Sequence, residues 1–312
     1  MNAPATTTRG AHPYLLLALA PLFWACNWIV GRGLASDIPP KAMTFFRWLF
    51  ALAMLAPFAW PHVRREWPLV KASWKTRFVL GAIGVGTHNA LAYLGLNYTT
   101  AMNGVILNSF IPVMIIAFAW LILGERLSAV QLTGVGVSLV GVLTILSRGS
   151  LDVLTSFRLN LGDLFVILSM AMWSVYTIAL RWRPAGRHML TFLFVLIVVG
   201  LFCVLPFFVA EFTLGRRMVV TATNLAALAA IALFSSLLAY IFWNRGVEQV
   251  GASVAGLFVH LMPLYGVVLA WLVLGEGLAL FHVAGIALIL TGIWITSRLG
   301  RRPEPVPAGP EA

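Results

Sequence analysis

The stretch Pro112–Glu125, PVMIIAFAWLILGE, returns 151 residues later as Pro263–Glu276, PLYGVVLAWLVLGE. At that offset Pro112/Pro263, Ala119/Ala270, Trp120/Trp271, Leu121/Leu272, Leu123/Leu274, Gly124/Gly275 and Glu125/Glu276 coincide. Leu127/Leu278, Gly134/Gly285, Leu139/Leu290 and Gly141/Gly292 carry the register on without a gap. The offset is close to half of the 312 residues, so one unit has been used twice.

The composition says in what solvent that unit folds. The chain is 61% hydrophobic and 10% charged, against about 25% charged for a soluble domain. Too few polar side chains are present to cover a water-soluble globule, so the class is a polytopic membrane protein. The formal net charge of +11 would suit nucleic acid. The basic residues are instead scattered between apolar runs, as loop charges are, so a lipid bilayer and not nucleic acid is the expected surrounding. Cys26 and Cys203 both sit in apolar runs and supply neither a disulfide framework nor a metal cluster. No metal or cofactor is expected.

Apolar segments cover residues 13–35, 39–61, 75–97, 102–123, 129–147, 160–182, 189–210, 222–244, 252–274 and 280–298. Each is near the ~20 residues that a helix needs to cross a bilayer, about twice the length of a barrel strand. The reading is therefore all-α, with ten transmembrane helices. Arg9 followed by an apolar run and Ala18-Leu19-Ala20 imitates a signal peptide. The run continues well past Ala20, and Trp24 aligns with Trp173 of the second copy, so the first segment is expected to be a retained helix.

Lys and Arg in the loops set the orientation. Fourteen fall on the side holding Arg9, Arg64, Arg126, Arg181 and Arg298, and six on the side holding Arg32, Lys41, Arg148, Arg158, Arg216 and Arg217; Arg47 lies inside the second helix. Both termini are thereby expected in the cytoplasm. Five helices per copy is an odd number, so the second copy enters the membrane from the opposite side. The expected architecture is two inverted five-helix repeats around a central cavity, an arrangement characteristic of secondary transporters. The units expected are a cytoplasmic tail at 1–12, a first repeat at 13–147, a periplasmic linker at 148–159, a second repeat at 160–298, and a cytoplasmic tail at 299–312.

On Trp24 and Trp173, the duplicated Pro-to-Gly-Glu stretches, and Gly134, Gly141, Gly285 and Gly292, the chain resembles the EamA-type members of the drug/metabolite transporter superfamily over residues 13–298. Within that superfamily it looks most like the bacterial aromatic amino-acid exporters of the YddG type. The resemblance implies ten helices, cytoplasmic termini, a place in the bacterial inner membrane and export of small metabolites. One departure is Gly277, which stands where the first copy has Arg126.

Ionisable groups inside a membrane are costly and usually functional. His88 and His260 are the mid-membrane titratable groups, each on a face of small residues where helices approach closely: Gly81, Gly84 and Gly95 for His88, Ser253, Gly256 and Pro263 for His260. Each is expected either to meet substrate or to bond a neighbouring carbonyl. Trp24 and Asn27 share a face of the first helix, and Ser169, Trp173 and Tyr176 a face of the sixth. Asn108 precedes Pro112, while Tyr93 and Tyr240 lie on the third and eighth helices. Unpaired polar groups cannot face lipid, so these are expected to face the interior, with Trp24, Asn27, His88, Tyr93, Asn108, Trp173, Tyr176, Tyr240 and His260 as the substrate-binding set. Pro112 and Pro263 are the expected hinges, because proline frees a carbonyl and bends the helix. Arg47 is expected to snorkel to the outer interface, Asp163 to cap the sixth helix, and Glu125 and Glu276 to fix the hairpins that follow them.

A membrane enzyme would carry a paired-Asp metal motif, HExxH or GxSxG, and the sequence has none. The expected function is export of amino acids, including aromatic ones, by a monomer working through alternating access. Facilitated diffusion is the simpler energetic reading, with a histidine-borne proton as the alternative; the alternative function is proton-coupled export of other small apolar metabolites or drugs, and a passive scaffold is disfavoured by the inverted repeat.

Overall fold

The computed structural model describes residues 12–34, 36–96, 98–156, 158–183, 188–274 and 277–299. Among them there is no strand. In chain order the helices are α1 (Pro13–Gly33), α2 (Pro40–Ala72), α3 (residues 74–96), α4 (residues 101–123), α5 (Ala129–Leu146), α6 (Leu161–Trp182), α7 (Met189–Thr213), α8 (Ala222–Val250), α9 (residues 252–274) and α10 (Leu280–Leu299), with one short turn of helix, Leu151–Thr155, before α6. Eight of these, all except α3 and α4, are long and apolar enough to cross a membrane. Large apolar side chains such as Phe58, Leu121, Phe202 and Leu272 face outward, while Thr44, Ser138, Asp163, Ser169 and Asn244 are buried. A helix surface turned out in this way suits lipid, which cannot satisfy polar groups.

The packing respects the sequence repeat. If each helix is exchanged for its counterpart five places along, the main pairings return unchanged: α2 with α7 and α5 with α10 map onto themselves, α3 with α6 becomes α8 with α1, and α4 with α6 becomes α9 with α1. The glycines that extend the repeat make the tightest of these. A Cβ on Gly141 would stand 2.7 Å from the Gly285 carbonyl, and one on Gly134 2.7 Å from that of Gly292. Gly134 meets Gly292 and Gly141 meets Gly285, so α5 and α10 run antiparallel with their backbones in contact, as small residues permit.

The fold bends where the helix ladder is interrupted. Within α3, residues Ala82–Thr87 form a π-helical stretch, and within α8 residues Ala232–Leu238 do the same, at positions 151 apart to within one residue. Wide π turns leave carbonyls short of partners. The Gly84 carbonyl accepts from the Tyr240 hydroxyl at 2.9 Å, and the carbonyl of its repeat mate Ser235 accepts from Trp24 Nε1 at 3.2 Å. The second interruption is in α4 and α9. Pro112 cannot donate to the Asn108 carbonyl, and α4 is broken at Ser109–Phe110 between Ala101–Asn108 and Ile111–Leu123. Before Pro263, Phe258–His260 tightens into a 3₁₀ turn.

The end of the opening stretch is explained by Gly124. It takes a left-handed φ of 68°, and the Gly124 and Glu125 amides close on the Trp120 and Ala119 carbonyls. Glu125 then bonds Arg181, across the repeat boundary at 3.1 Å, instead of its own hairpin. Glu276 lies outside the described residues. Helix α2 runs on to Ala72, eleven residues past its expected end, because Val63 and Val70 still bury their side chains beyond the apolar run.

Candidate functional site

Midway along the helices, side chains from α1, α2, α6 and α8 form one aromatic cluster. The Trp24 ring lies 5.3 Å from Trp173, 5.4 Å from Trp243 and 6.2 Å from Tyr240. Trp173 lies 5.3 Å from Tyr176 and 5.6 Å from Tyr240, and Trp48 stands edge-on to Tyr240 at 5.1 Å. Three of the polar ends are tied down, Trp24 and Tyr240 on the two π stretches and the Tyr176 hydroxyl donating to Asn244 Oδ1 at 2.9 Å, while Trp48 Nε1 and Trp243 Nε1 are buried without a hydrogen-bond partner among the described residues. Such a cluster offers ring faces and edges to a flat apolar group or a cation.

His88 stands beside the cluster, 5.3 Å from the Trp173 ring. The Ser169 hydroxyl donates to the His88 carbonyl at 2.8 Å, and the Ser169 carbonyl lies 3.0 Å from His88 Nδ1. A carbonyl only accepts, so Nδ1 carries the proton and Nε2 keeps its lone pair, with no partner among the described residues. His260 is arranged otherwise. Its Nε2 donates to the Ser109 carbonyl at 2.9 Å, and its Nδ1 accepts from the Ser138 hydroxyl at 2.8 Å. Both nitrogens are used, and the ring sits at the paired helix breaks rather than in the aromatic cluster.

Arg47 does not snorkel outward. It is buried, with Nη1 donating to Asn27 Oδ1 and Nη2 to Asn89 Oδ1, each at 3.3 Å, and its guanidinium lies 5.3 Å from the Trp48 ring centre. The side chain leans inward because Asn27 and Asn89 on α1 and α3 offer it acceptors that lipid does not. Trp24, Asn27, His88 and Asn89, beside it, are only part-buried.

Of the expected site residues, the structure therefore brings together Trp24, Asn27, His88, Trp173, Tyr176 and Tyr240. Asn108 lies at the break in α4 and His260 at the facing one in α9. Tyr93 is on α3, with its side chain outside the described residues. Arg47, Asn89, Trp48 and Trp243 join the cluster without having been expected there.

The two ends of the bundle differ. At the end where α1 begins and α10 finishes, a cleft of about 730 Å³ is lined by Tyr14, Arg126, Gln131, Gln249, Ser253 and Ser297. At the opposite end Asp163, at the third position of α6, accepts from the Asn160 amide at 2.8 Å and from Thr99 Oγ1 and Asn103 Nδ2 of the α3–α4 corner. Asn160 is the cap, and Asp163 answers it in a capping box.

A helical membrane protein of two like halves with polar and aromatic groups between them has the form of a transporter. The EamA-like transporter family matches residues 12–147 and again 160–298, and the chain belongs to that family. Among curated relatives, an uncharacterized transporter of Archaeoglobus fulgidus is 28% identical over 91% of this chain and 96% of its own. The uncharacterized transporter YyaM of Bacillus subtilis is 29% identical over 72% of this chain and 74% of its own. Protein PecM of Dickeya dadantii is 26% identical over 88% and 89%. A solved crystal structure covers 94% of this chain and 99% of its own with a TM-score of 0.75 at 18% identity, a likeness of fold.

Proposed function

We propose that this transporter exports small metabolites, amino acids including aromatic ones among them, across the bacterial inner membrane by alternating access. In this reading it has ten spans in two inverted repeats, 13–147 and 160–298, and both termini are cytoplasmic. The antiparallel contact of α5 with α10 supports the inversion: two copies of one helix that pack antiparallel are related by an axis across them, in the membrane plane. The narrower kinship with aromatic amino-acid exporters rests on the sequence resemblance and agrees with the aromatic cluster.

The observation that carries the reading is the asymmetry of the two ends. The cleft opens at the end where the basic loop residues gather, and the other end is knotted by Asp163. Between them the aromatic cluster bars a continuous path, so passage requires the halves to rock. We assign Trp24, Asn27, His88, Tyr93, Trp173, Tyr176 and Tyr240 to the cavity. Asn108, His260, Pro112 and Pro263 form the joint on which the halves move.

Proteoliposomes holding the purified protein, supplied with labelled amino acids with and without an imposed pH gradient, test this. Saturable uptake of aromatic amino acids is expected; uptake no greater than in protein-free vesicles overturns it. The second energetic reading is proton-coupled export with His88 Nε2, unpartnered among the described residues, as the proton acceptor, for which acceleration by the gradient is the sign.

A further inference from the structure

We infer that Arg47 is the anion subsite of the transport cavity, and that the substrate must carry a carboxylate whereas an ammonium group is dispensable. This rests on the transport reading above and specifies the chemistry of the same cavity.

Arginine keeps its charge under all ordinary conditions, so burying it cannot be relieved by loss of a proton. A buried ion without a counterion costs several kcal/mol by the usual measure of about that size per ion. Arg47 is 7% exposed and has no carboxylate partner among the described residues. The two ion pairs there are Arg181–Glu125 and Arg183–Glu248. The buried carboxylates are held elsewhere, Asp163 by Thr99, Asn103 and Asn160, and Glu211 by the Ala42 amide. What holds Arg47 is two neutral amides, Asn27 and Asn89, and the Trp48 ring. Its Nε is buried with no hydrogen-bond partner. Of five N–H donors two are engaged and three remain, one on each nitrogen of the planar guanidinium, enough to meet a carboxylate with two. A charge kept in this condition through folding is stabilised when a mobile anion arrives.

The surroundings define the rest of the ligand. Trp48 links Arg47 to Tyr240, and through it to Trp24, Trp173 and Tyr176, so an apolar or aromatic body attached to the carboxylate meets ring surfaces. No carboxylate of the described residues bonds within this cluster to meet an ammonium, which would have only ring faces and the His88 lone pair. Along α1, Tyr14 lines the cleft, Trp24 is about 15 Å deeper and Asn27 about 4 Å beyond it, at ~1.5 Å per residue. Arg47 thus lies past the aromatic cluster as seen from the cleft, where a substrate held by both is shut off from the side it came from.

The test uses four probes that share one ring: phenylalanine, 3-phenylpropionate, 2-phenylethylamine and phenylalaninamide. In wild-type proteoliposomes, labelled phenylalanine uptake is expected to be inhibited by unlabelled phenylalanine and 3-phenylpropionate with similar potency, and at least tenfold less well by the two amines. Arg47→Gln is expected to lower phenylalanine transport at least tenfold, and Arg47→Lys to restore part of it. Equal inhibition by all four overturns the anion subsite while leaving the transporter reading standing. Absence of any phenylalanine uptake overturns the transporter reading instead. In that event, and if Arg47→Gln does not fold, thermal stabilisation of the detergent-solubilised wild type decides: a shift with 3-phenylpropionate and none with 2-phenylethylamine upholds the subsite, and the reverse or no difference removes it.

Discussion

Tyr240 and Gly84 lie in opposite halves of the chain, and the Tyr240 hydroxyl donates to the Gly84 carbonyl at 2.9 Å. The bond has a counterpart in the other half, from Trp24 to the carbonyl of Ser235, the repeat mate of Gly84. Each half therefore lends an aromatic donor to the widened turn of the other, so the two π stretches are held by the contact that joins the halves. Tyr240→Phe and Trp24→Phe remove these donors and leave a buried carbonyl unpaired. Each is expected to cost about 1–3 kcal/mol of stability and to slow transport. Unchanged melting temperature and unchanged rate for both would show that the π stretches do not depend on the donors.

The α5–α10 contact admits no side chain. Gly141→Leu and Gly285→Leu place a Cβ 2.7 Å from the facing carbonyl oxygen, on backbone that cannot swing aside. Both are expected to lower the melting temperature in detergent by several degrees or to prevent folding. Gly136 on the same helix has nothing within 4 Å of its would-be Cβ, and Gly136→Ala is expected to stabilise by up to about 1 kcal/mol through helix propensity. Equal effects at the three sites would contradict the close contact.

The two histidines are expected to answer differently to the same change. His260 has both nitrogens filled, by the Ser109 carbonyl and the Ser138 hydroxyl. His260→Gln and Ser138→Ala should therefore lower stability, by about 1–3 kcal/mol for Ser138→Ala, and leave the substrate KM close to wild type. His88→Gln removes the free Nε2 lone pair and is expected to raise the KM with little loss of stability. A raised KM with Ser138→Ala would bring His260 into the cavity.

Asp163 gathers donors from two corners of the chain at the closed end. Asp163→Ala strands them, and hydrogen bonds to a charged acceptor are worth about 1.5–3 kcal/mol each. Hydrogen exchange followed by mass spectrometry should accelerate over residues 98–104 and 160–164 while α5 and α10 keep their protection. Unchanged exchange at that corner would mean the knot does not hold the end shut.

Much of this was legible in the sequence, and the reason is the repeat. The offset of 151 residues located Gly134, Gly141, Gly285 and Gly292, which are now the helix–helix contact, and the matching places of Trp24 and Trp173 in the first helix of each copy, 149 residues apart, paired two rings that touch. The helical class followed from segment length alone. What was not legible depended on partners far away in the chain. A π stretch has no spacing of its own and exists here because Tyr240 and Trp24 arrive to meet it. Arg47 was read as reaching outward, since a cation two turns into a helix has an interface within reach. The inward pull comes from Asn27 and Asn89, 20 residues before and 42 residues after it. Glu211 lies just past the apolar run 189–210, and nothing in the sequence points to its burial or to the Ala42 amide that donates to it at 2.9 Å.

The central claim is that substrate crosses by a rocking of the two halves around the cluster of Trp24, Trp173 and Tyr240. Counterflow tests it most directly, because only a carrier with one alternating site exchanges substrate faster than it delivers it. Proteoliposomes loaded with unlabelled phenylalanine and diluted into trace labelled phenylalanine should show transient accumulation of label above equilibrium, lost with Trp173→Ala. Label that rises only to equilibrium, at a rate independent of the internal load, contradicts the account.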